Sequence, residues 1–155
     1  MKYRYDYPRA AVTVDIVLFS RFEERDYVLL ICRDRPPFEG CWAFPGGFIE
    51  MDETLEQSAL RELKEETGLK GVVIKQFHTY GNPGRDPRYR TITIAFIGIC
   101  DGLTEVKGMD DARDAAWYPI NAIPQLGFDH DQIMKDALKE FQILFPFPLF
   151  DEGKA

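Results

Sequence analysis

The chain has 155 residues, 45% hydrophobic and 14% aromatic, which suits one globular domain spanning 1–155 and excludes disordered, collagenous and coiled-coil classes. Nineteen Lys and Arg against 26 Asp and Glu leave a net charge of −7, the wrong sign for tracking nucleic acid or an anionic membrane, and an anionic small substrate then needs a cation or a local arginine cluster. Cys32, Cys41 and Cys100 form no CxxC, His78 and His130 lie far apart, and the apolar stretch Ala10–Phe19 is broken by Thr13 and Asp15; no zinc site, disulfide framework, leader or membrane span is predicted, and the expected setting is the reducing cytoplasm.

In chain order, β-branched and aromatic enrichment predicts strands over Ala11–Phe19, Tyr27–Cys32, Val72–Tyr80, Thr91–Cys100 and Ala115–Tyr118, with the polar stretch Arg21–Asp26 closing the first two into a hairpin. Helical periodicity covers Thr54–Thr67 and Asp129–Phe145, the second with an apolar stripe of Ile133, Met134, Ala137, Leu138 and Phe141. Thr54 with Gln57 forms a capping box, and Asp129 is placed to cap the second helix. Strands interleaved with helices predict a mixed α/β domain with helices on the faces of a sheet. The apolar tail Phe145–Phe150 is expected to pack on its own domain, with a dimer contact as the alternative.

Glu62, Glu65 and Glu66 are spaced i, i+3, i+4 on the first helix, so their carboxylates converge on one face. Like charges at these spacings destabilise a helix, and Glu65 and Glu66 sit in its last turn, where the helix dipole favours cations. A divalent metal bound by these hard oxygens removes both penalties and suits Mg²⁺ or Mn²⁺. The other reading is a solvated face neutralised by Arg61 and Lys64. Ahead of the helix, Pro45-Gly46-Gly47 provides a rigid turn and two residues without a Cβ, open to close approach by a metal or phosphate.

From Gly47 through Glu53 to Arg61-Glu62-Leu63-Lys64-Glu65-Glu66-Thr67-Gly68-Leu69, the spacing matches the Nudix box at every specified position. Seven fixed residues at about 6% usage each, over about 130 start points, give a chance match on the order of 10⁻⁷. The chain therefore resembles a Nudix hydrolase from the Ala11 strand to about Pro124. The resemblance implies an α/β/α sandwich around a mixed β-sheet and Mg²⁺-dependent hydrolysis of a nucleoside diphosphate linked to a second moiety. It implies Glu62 and Glu66 as principal metal ligands, Glu65 as ligand or water-orienting group, and the Gly46 carbonyl as a further ligand. Glu53 and Arg61 are then a structural ion pair, and Gly68 lets the chain leave the helix left-handed. A base or extra ligand from a later loop would be Glu105, Asp110 or Asp111, each of which taken singly reads first as a solvated acid.

The loop Gly81–Arg88 places Arg85 and Arg88 among prolines, where two guanidiniums can clamp phosphate oxygens or remain solvated. This loop is similar to that of the ADP-ribose pyrophosphatase branch, which implies ADP-ribose as substrate, with AMP and ribose 5-phosphate as products. Phe44, Tyr89 and the N-terminal Tyr3, Tyr5 and Tyr7 are available as an adenine platform, although each also fits core or interface. NADH, another sugar nucleotide or a modified nucleoside triphosphate is the alternative substrate. A non-enzymatic ADP-ribose sensor is the other class, and the stretch after Pro124 reads as one helix and a tail rather than a winged helix. A homodimer through the aromatic ends is also expected.

Overall fold

The computed structural model describes residues 2–145. β1 (Ala11–Phe22) runs through the middle of a mixed sheet and changes partners along its length. One edge pairs in parallel with β6 (Thr91–Asp101) from Ala11 to Arg21. Its other edge pairs first with β4 (Gly46–Phe48), matching Thr13–Asp15 to Phe48–Gly46, and then with β2 (Arg25–Arg33), matching Phe19–Phe22 to Val28–Arg25. The crevice between these two partners is where the chain can place a site. β2 continues to β3 (Trp42–Ala43) and β7 (Ala112–Pro119), and β5 (Ile74–Tyr80) closes the far edge against β6.

Strand alternation divides the core. Val14, Ile16 and Leu18 pack with Ala59 and Leu63 of α1 (Leu55–Thr67) on one face. Val17 and Phe19 pack with Ile133, Met134, Ala137 and Phe141 of α2 (His130–Leu144) on the other. The result is the expected sandwich of helices about a mixed sheet. α1 begins with a complete capping box, Gln57 N–H donating to Thr54 Oγ1 at 3.1 Å and Thr54 N–H to Gln57 Oε1 at 2.9 Å, and ends at Gly68 with φ 79°.

Three departures from the sequence reading have physical causes. β1 and β2 extend through the predicted polar turn because Glu23 and Glu24 both adopt positive φ, which matches the twist of a tight hairpin. β3 and β4 went unpredicted, since two or three residues around a proline and two glycines show no periodicity. Asp129 makes no side-chain cap to α2, because Arg85 takes its carboxylate with Nε and Nη2 at 2.9 and 2.6 Å. The tail after Phe145 lies outside the described residues. Among the described residues no helix is long and apolar enough to cross a membrane, and no cysteine is disulfide-bonded.

Candidate active site

A cavity of about 490 Å³ opens at the crevice, and its lining includes Gly46, Gly47 and the α1 carboxylates together with Arg33, Arg88 and Phe128. The capping box fixes the phase of α1, and that phase turns Glu62, Glu65 and Glu66 toward β4. Arg61 is the hub of this wall. Its Nε donates to Glu53 Oε1 at 2.8 Å, its Nη1 to Glu62 at 2.8 Å and to Glu65 at 3.3 Å, and its Nη2 to the Phe48 carbonyl at 3.1 Å. Ser58 Oγ donates to Glu53 at 2.6 Å, so loop and helix form one hydrogen-bonded unit. Arg61→Lys is expected to lower the melting temperature and to reduce turnover about tenfold, because one ammonium cannot reproduce this planar fork; thermal melts beside initial rates check it.

Glu66 is 6% exposed. Its one hydrogen-bond donor among the described residues is the Gly46 N–H, at 3.2 Å, and it has no ion pair there. Burial pushes its carboxyl well above the usual range, and Glu62 adds to the rise. Burial also raises Glu62, although Arg61 opposes it. A buried carboxylate without a cation is a costly arrangement that a divalent ion relieves. Glu62, Glu65, Glu66 and the Gly46 carbonyl supply hard oxygen donors, a set that fits Mg²⁺ or Mn²⁺. Among the described residues no three His, Cys, Asp or Glu side chains are gathered at metal-ligand spacing, since Arg61 holds Glu62 and Glu65. Gly47 admits Glu62: a Cβ there would lie 2.5 Å from its Cδ.

The later acidic residues separate. Met109 N–H donates to the Glu66 carbonyl at 3.1 Å and Lys107 N–H to the Thr67 carbonyl at 3.3 Å, so their loop caps the end of α1. This brings Asp110 and Asp111 onto the cavity wall, while Glu105 stays exposed and away from it. Asp111 meets Arg35 in an ion pair.

The two loop arginines differ from a pair of free clamps. The Arg85 side chain is 4% exposed and spends its guanidinium on Asp129, anchoring the loop to the start of α2. Arg88 pairs with the buried Asp86 at 2.8 Å and remains a third exposed, its guanidinium 5.3 Å from the Phe48 ring and 5.8 Å from Phe128. Phe44 is no open platform: it is 2% exposed and stacks on His130 at 4.9 Å. Tyr89 is exposed, with its ring 6.3 Å from Phe48.

Four of the lining residues that sequence reasoning missed bear on the chemistry of the site. Arg33 donates Nε to the Pro37 carbonyl at 2.7 Å and has no carboxylate partner among the described residues; burial, then the nearby Arg88, lowers its pKa. Phe128 holds φ 52°, strained for an aromatic residue, and lies 4.9 Å from the Arg33 guanidinium. Nothing in a single sequence marks either of them. Asp15, the charge interrupting an apolar run, was a visible signal, whereas its partner His130 was not.

The NUDIX domain model matches residues 9–141. The chain is 44% identical over 139 residues to the ADP-ribose pyrophosphatase of Methanocaldococcus jannaschii, covering 89% of this chain and 78% of that one. The crystal structure of a MutT/nudix family protein from Enterococcus faecalis superposes with TM-score 0.82 at 30% identity, over 90% of this chain and 64% of the other. The NUDIX domain of Shewanella oneidensis NrtR, solved as a complex with ADP ribose, superposes with TM-score 0.79 at 33% identity, over 88% of this chain and 94% of that domain. With its carboxylate-bearing helix against a glycine strand and a family match over most of its length, the chain belongs to the NUDIX family.

Proposed function

We propose that the protein is a Mg²⁺-dependent hydrolase of nucleoside diphosphates linked to a second moiety, with ADP-ribose as substrate and AMP and ribose 5-phosphate as products. The observation that carries this reading is that one cavity is lined by both carboxylates and guanidiniums. Buried carboxylates on α1 line the same space of about 490 Å³ as Arg33 and Arg88. A diphosphate needs both, since a cation held by the carboxylates would neutralise part of its charge and the guanidiniums would take what remains. The relative from M. jannaschii, named an ADP-ribose pyrophosphatase, supports the choice of substrate.

Glu62, Glu66, Glu65 and the Gly46 carbonyl hold the cation in this reading. When bound, it neutralises phosphate charge and lowers the pKa of the attacking water. One water adds across the P–O–P bridge: its oxygen bonds to one phosphorus, the bridging oxygen leaves with the other, and the released proton passes to a carboxylate. Glu65, 43% exposed, and Asp110 or Asp111 on the facing loop are the groups assigned to receive it. Arg85 holds the 81–90 loop through Asp129, and Arg88 contacts the substrate. A homodimer using the exposed Tyr3, Tyr5 and Tyr7, in the cytoplasm and without nucleic acid as a partner, completes the proposal.

Phosphate release from ADP-ribose, NADH, nucleotide sugars and nucleoside triphosphates, coupled through a phosphomonoesterase, tests it. The expected result is a kcat/KM for ADP-ribose at least about tenfold above the others, abolished by chelator and restored by Mg²⁺ or Mn²⁺. The resemblance to an NrtR domain complexed with ADP ribose favours one second reading, a ligand-sensing domain. Tight ADP-ribose binding without metal-dependent turnover would establish that reading instead.

A further inference from the structure

Beneath β4 lies a buried polar chain that the proposed chemistry does not use. The Phe44 N–H donates to His130 Nδ1 at 3.1 Å, which places the proton of the neutral ring on Nε2. Nε2 faces Asp15 Oδ1 at 3.5 Å, and Asp15 Oδ2 accepts from Thr93 Oγ1 at 2.6 Å. Asp15, Thr93 and His130 are 8%, 0% and 3% exposed. Burial holds the imidazole below its ordinary pKa, so Asp15 is a buried carboxylate whose neighbour carries no charge at neutral pH.

The chain ends at the backbone that carries the proposed carbonyl ligand. Asp15 stands opposite Gly46 in the β1–β4 ladder, and a Cβ on Gly46 would lie 2.7 Å from its Oδ1. The Pro45 carbonyl accepts from the Ile16 N–H at 2.9 Å, and the Gly46 N–H donates to Glu66. His130, Ile16 and Glu66 thus hold three successive residues, 44 to 46. An apolar side chain at 130 would fill the same space without offering an acceptor to the Phe44 N–H or a donor to Asp15.

We propose that Asp15 and His130 are positioning residues for the divalent cation, holding the Phe44–Gly46 backbone so that the Gly46 carbonyl and Glu66 share one side of the cavity. The turnover arm of the test rests on the function proposed above; cation binding does not. Mn²⁺ titrations of the full chain followed by electron paramagnetic resonance, beside thermal melts and steady-state kinetics with ADP-ribose, compare His130→Phe, His130→Gln and Asp15→Asn. His130→Phe and Asp15→Asn are expected to weaken Mn²⁺ binding and lower kcat by about 10- to 100-fold with KM changed less than about threefold. His130→Gln, which keeps an acceptor and a donor, is expected to recover most of both.

Folded His130→Phe and Asp15→Asn proteins with wild-type Mn²⁺ affinity would overturn the proposal, as would a fall in melting temperature alone, which is what a purely structural pair gives. Should His130→Phe fail to fold, Asp15→Asn against His130→Gln decides by the same readouts. If the wild-type protein turns over no nucleotide sugar, the proposed substrate falls, while the Mn²⁺ titrations still decide the positioning role.

Discussion

Glu66→Gln is expected to lower kcat about 10³-fold, the equivalent of ~4 kcal/mol of lost transition-state stabilisation, while leaving the fold intact. The amide keeps an oxygen for the Gly46 N–H but cannot supply the charge that draws a cation. The same change should raise the melting temperature in chelator, because it removes a carboxylate whose burial opposes ionisation. The sign follows from linkage: the folded pKa lies above the unfolded one, so this group's stabilising contribution is present at pH values below the ordinary glutamate range. It is lost as pH rises through the raised value. Metal-free wild-type protein is therefore expected to melt at lower temperature as pH climbs across that window, Glu62 contributing with the same sign, and Glu66→Gln should flatten the slope. Turnover within a few-fold of wild type would show that the cation is held elsewhere.

The two glycines of β4 should fail in different ways when given a methyl group. At Gly46 the new Cβ would meet backbone, the Val14 carbonyl oxygen and, at 3.0 Å, the Asp15 Cα, neither of which can move without breaking the β1–β4 ladder. Gly46→Ala is expected to cost about 1–3 kcal/mol or more, seen as a melting temperature lower by about 5–10 °C, with activity lost alongside. At Gly47 the Cβ would meet the carboxylate of Glu62, the free end of a flexible side chain. Gly47→Ala should melt within a few degrees of wild type, yet lose about 10- to 100-fold in kcat because Glu62 is displaced. Equal stability losses at both positions would refute the distinction.

How far the sequence reaches depends on whether a contact is local. The direction of Glu62, Glu65 and Glu66 was readable because helix geometry alone relates residues three and four apart, and Thr54 and Gln57 announced where that helix starts. The short strands at Trp42 and Gly46 were not, as their existence depends on β1 and β2 offering free edges. Asp129 reads as a cap by composition, and only a partner 44 residues earlier, Arg85, removes it from that role. Asp15 announced itself as a charge inside an apolar strand. Its counterpart His130 lies so far along the chain that no periodicity connects the two, and the aromatic–cation contacts of Phe128 with Arg33 and Arg88 are equally non-local.

The partner exchange along β1 constrains which changes in chain length the protein tolerates. Each side chain of this strand has an assigned face: Val14, Ile16 and Leu18 toward α1, and Asp15, Val17 and Phe19 toward α2. Deleting one residue between Thr13 and Ile16 would invert part of that assignment, carrying a carboxylate into one apolar core and shifting the glycine strand out of step with the helix it faces. Insertions and deletions are instead expected at the Glu23–Glu24 hairpin tip and in the exposed part of the 81–90 loop, where added residues would extend into solvent. Relatives of this chain should accordingly differ in length at those two places while sharing an ungapped β1.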